Sequence, residues 1–319
     1  MIKFKDLSIT VRDEHLNLMK SRFLGSSAKL KISPVSIYPP YIDNLMNYLR
    51  GSLDVILTGG PDELLSIVDH VINHYPEFHK QAKRKRKSTE WEAYPRDAAA
   101  VQLVESCFNY SKFSEKGTSW GAYRLVQELG FRVCPYCHLH HVNYHMPSGE
   151  GDFSLRPPLD HFLPKAFYPY LAVSLGNLVP CCSQCNSSIK LALDPLETGL
   201  VHPRIASSVG RVKFSAQSSV PGAAILSSND ITLNVVASSK EAAAHAEAFK
   251  LQDRYEWYSH EVLDLINNYG RFLEYSDIVK KAVWKADFVL GFSPDIAGER
   301  AMGLCLLDVF EELESGSVV

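Results

Sequence analysis

Apolar residues recur at helical spacing through most of positions 1–130 and again after Ser238, while the stretch between carries short apolar runs broken by turn residues. In the first region Leu64, Leu65, Ile67, Val68, Val71 and Ile72 gather on one face of a helix. Pro61, Asp62 and Glu63 stand just ahead of them. A proline needs no backbone N–H in a first turn, and carboxylates there meet the positive end of the helix dipole. The same periodicity predicts helices over 96–110 and 119–129, with Gly130 placed to cap the second.

From Phe131 the texture changes. Histidines, Gly149, Gly151 and Pro157-Pro158 replace the helical pattern, as in a small unit of loops and two short strands tied by a metal. A short helix over 182–191 is expected to stop before Asp194-Pro195, because a residue preceding proline disfavours helical geometry. Three β-type runs follow at 211–215, 223–227 and 231–236. Helices are then expected over 240–251, 255–268, 275–288 and 297–314. The chain therefore reads as α+β: mostly helical, with a compact central finger. Three segments result, a helical one at 1–130, a metal-tied one at 131–205, and a β-hairpin with helices at 206–319.

Composition narrows the class without naming a function. With 46% hydrophobic and 22% charged residues, the 319-residue chain is long enough and apolar enough for a substantial core. Its net charge of -3 supplies no global basic field for nucleic acid, though a local basic face is compatible with that value. No apolar stretch reaches the ~18 residues of a membrane span. The opening Met-Ile-Lys-Phe-Lys-Asp lacks the apolar segment of a secretory signal, so the expected setting is cytoplasmic.

Four of the seven cysteines form two C-x-x-C pairs, Cys134-Pro-Tyr-Cys137 and Cys182-Ser-Gln-Cys185. Thiolates three positions apart on a tight knuckle point the same way, so two knuckles can surround one Zn²⁺ with four sulfurs. The 45 positions from Cys137 to Cys182 leave room for a folded insert. Cys181 is a rival to Cys182, and His138, His140 and His141 are rival ligands near the first knuckle. A redox role for Cys134 and Cys137 lacks the surrounding βαβ pattern. Cys107 and Cys305 read as small core residues of helices.

Between the knuckles lies Leu159-Asp160-His161-Phe162-Leu163-Pro164-Lys165, followed by Tyr168-Pro169, by Asn177-Leu178-Val179-Pro180 and, after the last cysteine, by Asn186 and Lys190. In this order from Cys134 to Lys190 the chain resembles the His-Asn-His (HNH) endonucleases, whose core is a ββα-metal finger and whose cysteine-bearing members carry a structural zinc. The resemblance implies a metal-dependent DNA endonuclease. His161 would be the general base on water, for which an imidazole titrating near working pH is suited. Asp160 and Asn186 would hold a catalytic Mg²⁺ or Mn²⁺, and Asn177 would pin the loop that orients His161 without touching metal. Lys165 and Lys190 would contact phosphate. Members of the family place that lysine three residues after the final Asn or His, whereas Lys190 is four residues on. A fainter likeness, in Asp194-Pro195 and Leu251-Gln-Asp-Arg254-Tyr255, is to HNH proteins of prokaryotic antiphage systems of Septu and retron type, which implies an ABC-class ATPase as partner. The alternative function is a non-catalytic, zinc-dependent nucleic-acid-binding or scaffold subunit.

The run Lys83-Arg84-Lys85-Arg86-Lys87 is a candidate for phosphate contacts of its own, or else a solvated charged loop. Trp91 and Tyr94 beside it read as core anchors more readily than as base-stacking platforms.

Overall fold

The structure, a computed structural model, describes residues 4–28, 37–116, 119–146, 153–205, 211–219 and 227–316. The N-terminal region is helical as the periodicity predicts. Its elements include Ile9–Ser27, Ile42–Gly51, Leu53–Thr58, Pro61–His74, Pro76–Lys83, Pro95–Cys107, Tyr110–Phe113 and Ala122–Leu129. Ser8 caps the first of these by accepting from the Val11 N–H. Gly60 opens the Pro61–His74 helix, where its own N–H donates to the Glu63 carboxylate. Gly130 ends the Ala122–Leu129 helix at a φ of 63°, a left-handed conformation that costs glycine little.

Two antiparallel strand pairs follow. Strand β1, Leu159–His161, pairs with β2, Leu178–Pro180, in the register Leu159↔Pro180, Asp160↔Val179 and His161↔Leu178. Strands β3, Val212–Ser218, and β4, Ile231–Ala237, form the second pair. Of the β-type run at 223–227, residues 223–226 lie outside the described residues.

The helix expected after Cys182 takes an unusual form. Residues Gln184–Lys190 make a π-helical turn, and Leu191 closes it with a φ of 49°. It is this left-handed residue that stops the turn, ahead of Asp194-Pro195. The expected 255–268 helix is split as Leu251–Tyr255, a 3-10 turn, and Ser259–Glu274. The last helix starts at Gly303, later than expected, because Pro294–Glu299 is a 3-10 turn. A Cβ on Gly303 would lie 2.2 Å from the Ala297 carbonyl oxygen, so only glycine fits that corner.

One contiguous apolar core runs from Val11 through Val179 to Phe310, so the three sequence segments share their interior. The N-terminal helices meet the central finger closely. The Leu175 N–H donates to the Leu57 carbonyl at 2.9 Å, and a Cβ on Gly176 would sit 2.2 Å from the Gly59 carbonyl oxygen. At the other end, buried Asp308 accepts from Arg211 and from the Phe214 N–H, which fastens β3 to the Gly303–Ser315 helix. No helix among the described residues is long and apolar enough to cross a membrane.

Candidate metal centre and the adjoining cleft

The two knuckles converge. The sulfurs of Cys134, Cys137, Cys182 and Cys185 lie within 4.8 Å of one another, and all four residues are buried. A tetrahedron with metal–sulfur bonds of about 2.3 Å has edges of about 3.8 Å. The Cys137 and Cys182 sulfurs are 3.8 Å apart, so the spacing suits zinc. Local backbone bonds shape each knuckle: the His138 N–H donates to the Cys134 carbonyl, the Cys134 N–H to the His140 carbonyl, and the Asn186 N–H to the Cys182 carbonyl. His138 takes a φ of 55°, which turns the chain out of the first knuckle.

The rival ligands are elsewhere. His140 bonds Gln184 and His141 bonds the Arg132 carbonyl. Cys181 is buried beside Asp160, apart from the four-sulfur group. Cys107 and Cys305 are buried in helices. The centre also has an outer shell that the sequence did not reveal. Arg254 donates to the Cys185 sulfur at 3.4 Å, the Tyr255 hydroxyl to the Cys137 carbonyl at 2.8 Å, and His245 Nε2 to the Tyr136 carbonyl at 2.7 Å.

Beside this centre β1 presents Asp160 and His161, and the π-helical turn presents Asn186. Together with Arg156 and Lys165 they line one open cleft of about 400 Å³. His161 is half-buried, and its Nε2 faces the Ala172 carbonyl at 2.9 Å. A carbonyl can only accept, so Nε2 carries the proton and Nδ1 keeps its lone pair. Burial, with Lys165 and Lys190 nearby, pushes the imidazole down to about 3. The neutral form of the imidazole is thereby favoured. Tyr110, from the N-terminal region, meets the imidazole edge-to-face with ring centres 4.5 Å apart.

Asn177 is buried and pins the loop between the strands. Its Oδ1 accepts from the Leu163 N–H at 2.7 Å, and its Nδ2 donates to the carbonyls of Leu163 and Leu171. Asn177→Ala would leave these three groups without their partner, and a loss of about 2–4 kcal/mol is expected. Urea unfolding checks this; a loss under ~0.5 kcal/mol would mean the loop is held by other contacts.

Lys190 corrects an expectation. Its side chain is fully buried, and its ammonium donates to Asp160 Oδ1 at 3.1 Å and to the His161 carbonyl at 2.9 Å. It faces inward and is not open to a phosphate. The Tyr136 hydroxyl donates to Asp160 Oδ2 at 2.6 Å. Burial pushes the Asp160 carboxyl up, and Lys190 and Tyr136 reduce that rise without cancelling it. Lys190→Met removes one half of a buried ion pair, for an expected cost of about 3–5 kcal/mol. Adding Asp160→Asn should restore much of that stability, as a double-mutant cycle by denaturant titration would report; additive losses would count against the pair.

The basic run is also partly engaged. Lys83 ties to buried Asp194 at 2.8 Å and to Glu197 at 2.5 Å, which pins it to the exit of the finger. Arg86 pairs with Glu105 and lies 3.8 Å over the Trp91 ring. Arg84 lies 4.0 Å over Tyr94, while Lys85 and Lys87 are exposed. Trp91 is buried and Tyr94 exposed, so only the first anchors the core.

Sequence reasoning missed Arg156 and Tyr110. Arg156 stands three residues ahead of β1, and its Nε is buried without a hydrogen-bond partner. A cation four residues before an Asp-His step was the available signal.

Comparison with known proteins gives little to place beside this geometry. No family model matches the chain, and no solved structure matches it. Over 79 residues it is 34% identical to Protein ea31 of Escherichia phage lambda, a similarity that covers 24% of this chain and 22% of that protein.

Proposed function

We propose that this chain is a metal-dependent endonuclease of the HNH type that hydrolyses DNA phosphodiester bonds. The observation that carries this reading is the shared cleft, in which Asp160, His161, Asn186, Lys165 and Arg156 converge beside a four-cysteine centre. Had the three motif side chains opened onto separate surfaces, the reading would have had no chemistry to rest on.

Each residue then has a role that its surroundings allow. His161, neutral and held through Nε2 by the Ala172 carbonyl, offers Nδ1 to take a proton from the attacking water. Arg156 and Lys165 supply positive charge to the phosphate as negative charge builds on it. Asn177 fixes the loop whose backbone carries that arrangement. Asp160 and the amide oxygen of Asn186 are the donors for a Mg²⁺ or Mn²⁺ ion, which when bound would neutralise charge on the phosphate. Lys190 and the Tyr136 hydroxyl already donate to the two oxygens of buried Asp160, so an ion there competes with both and needs a phosphate oxygen as a further ligand. The four cysteines hold a structural Zn²⁺.

A second reading rests on that same ion pair. With Asp160 already neutralised by Lys190, the finger resembles a zinc-stapled module that binds nucleic acid without cutting it. Defence against foreign DNA is the proposed setting, and the similarity to a phage protein suits a phage-related one. An ABC-class ATPase is the proposed partner.

The test is nicking of supercoiled plasmid by purified protein with Mg²⁺ or Mn²⁺, wild type against His161→Ala. Ion-dependent nicking by wild type alone supports the endonuclease. Binding without nicking under any divalent ion, with or without a partner ATPase, supports the second reading.

A further inference from the structure

The catalytic cleft continues into the N-terminal region. A second cleft of about 410 Å³ shares Tyr110, Lys165 and Ala166 with the first. It follows the seam between the finger and the N-terminal helices. On the finger side its wall is the loop pinned by Asn177, through Lys165, Pro169 and Ala172. On the other side the wall comes from the basic run and from the end of the Pro95–Cys107 helix and the turn after it.

The chemistry of this groove changes along its length. Lys165, at the junction, is exposed and held 4.5 Å over the Tyr110 ring. Arg86, further out, is oriented on two sides by the Trp91 face and the Glu105 carboxylate. A guanidinium has five N–H donors, and one of the terminal nitrogens serves Glu105, so donors remain for a second anion. Glu105 is the acid in the groove, and Arg86 and Lys165 both draw its carboxyl down against the upward push of burial. Ser106, Asn109 and Ser111 add short polar side chains to the lining. Tyr110 has one face under Lys165 and one ring contact with His161, so it positions those two groups and is not free to stack on a base.

Two cations with hydroxyl and amide groups in one groove, continuous with the proposed scissile site, match a sugar-phosphate strand. We propose that this groove holds the nucleic-acid strand next to the cleaved bond, with one flanking phosphate at Lys165 and another at Arg86. This deepens the endonuclease reading and rests on it for the identity of the strand. It gives the N-terminal helices a direct part in substrate binding.

The test uses the full chain in a His161→Ala background and a fluorescein-labelled, mixed-sequence DNA duplex. Anisotropy titrations are run over a salt series. Arg86→Gln and Lys165→Gln are each expected to weaken binding about ten-fold and to lower the salt slope by about 1. Ser111→Trp, a surface change that plugs the groove, should weaken binding with little change in slope. Arg86→Lys, which keeps the charge, should retain most of the affinity and serves as the folding control. Unchanged affinity and slope in both Arg86→Gln and Ser111→Trp would overturn the proposal, as would absence of DNA binding by the parent. Plasmid nicking by the wild-type protein reports separately on the endonuclease. Binding without nicking keeps the groove and removes the enzyme; nicking with binding unaltered in the variants keeps the enzyme and removes the groove.

Discussion

Cys185→Ser is expected to unfold the centre of this protein, and so is removal of zinc by a strong chelator. Four buried sulfurs stand close enough together to hold one metal ion. Zinc binding at such a site is worth about 10–16 kcal/mol near neutral pH, and it is released only in the folded state. The whole stability of a domain is about 5–15 kcal/mol. Loss of one ligand therefore removes an amount comparable to everything that holds the fold. The damage should extend past the knuckles. Tyr136, inside the first knuckle, stacks on Phe249 with ring centres 4.4 Å apart, while Tyr255 bonds to the first knuckle and Arg254 to the second. Metal analysis should find about one zinc per chain, and thermal melts of wild type, Cys134→Ser and Cys185→Ser measure the effect. A soluble Cys185→Ser protein that melts with the wild type would show that the sulfurs hold no structural metal.

His161→Ala is expected to do the opposite: leave the fold and remove the activity. A positioned general base contributes about 10²–10⁴-fold to rate. The imidazole gives up one hydrogen bond, to Ala172, and an edge contact with Tyr110, so the cost in stability is only about 1–2 kcal/mol. On the proposed mechanism the drop should fall on kcat, because Arg156 and Lys165 in the cleft are untouched. Single-turnover nicking under saturating enzyme measures it. Equal rates in variant and wild type would reject His161 as the base.

What could be read from the sequence was what depends on neighbours along the chain. The two C-x-x-C pairs fix their own geometry within a few residues, and they meet as the spacing implied. The alternation of helix and turn signals around Pro61 and Gly130 likewise needs only local information. Lys190 could not be placed that way. Its distance from Asn186 suggested an outward lysine one position off the usual spacing. A π-helical turn has more residues per turn than an α-helix and absorbs one extra residue, and here it carries the lysine to buried Asp160. Whether a segment winds as α or π is decided by what it packs on. Lys83 and Arg86 were read as part of a charged run for the same reason: their acids lie 111 and 19 positions away. Tyr110 and Arg86 reach the cleft only because the N-terminal helices close on the finger at Gly59 and Gly176.

The bond from Arg254 to Cys185 has a consequence for redox behaviour. A zinc ion ringed by four thiolates retains a formal charge of about −2, and sulfurs with that excess electron density attack electrophiles readily. A guanidinium on one of them draws density away and screens the cluster from peroxide and alkylating agents. The Leu251–Tyr255 helix thus places a counter-ion beside the four sulfurs. Arg254→Gln, which keeps all four cysteines, should release bound metal faster than the wild type under peroxide.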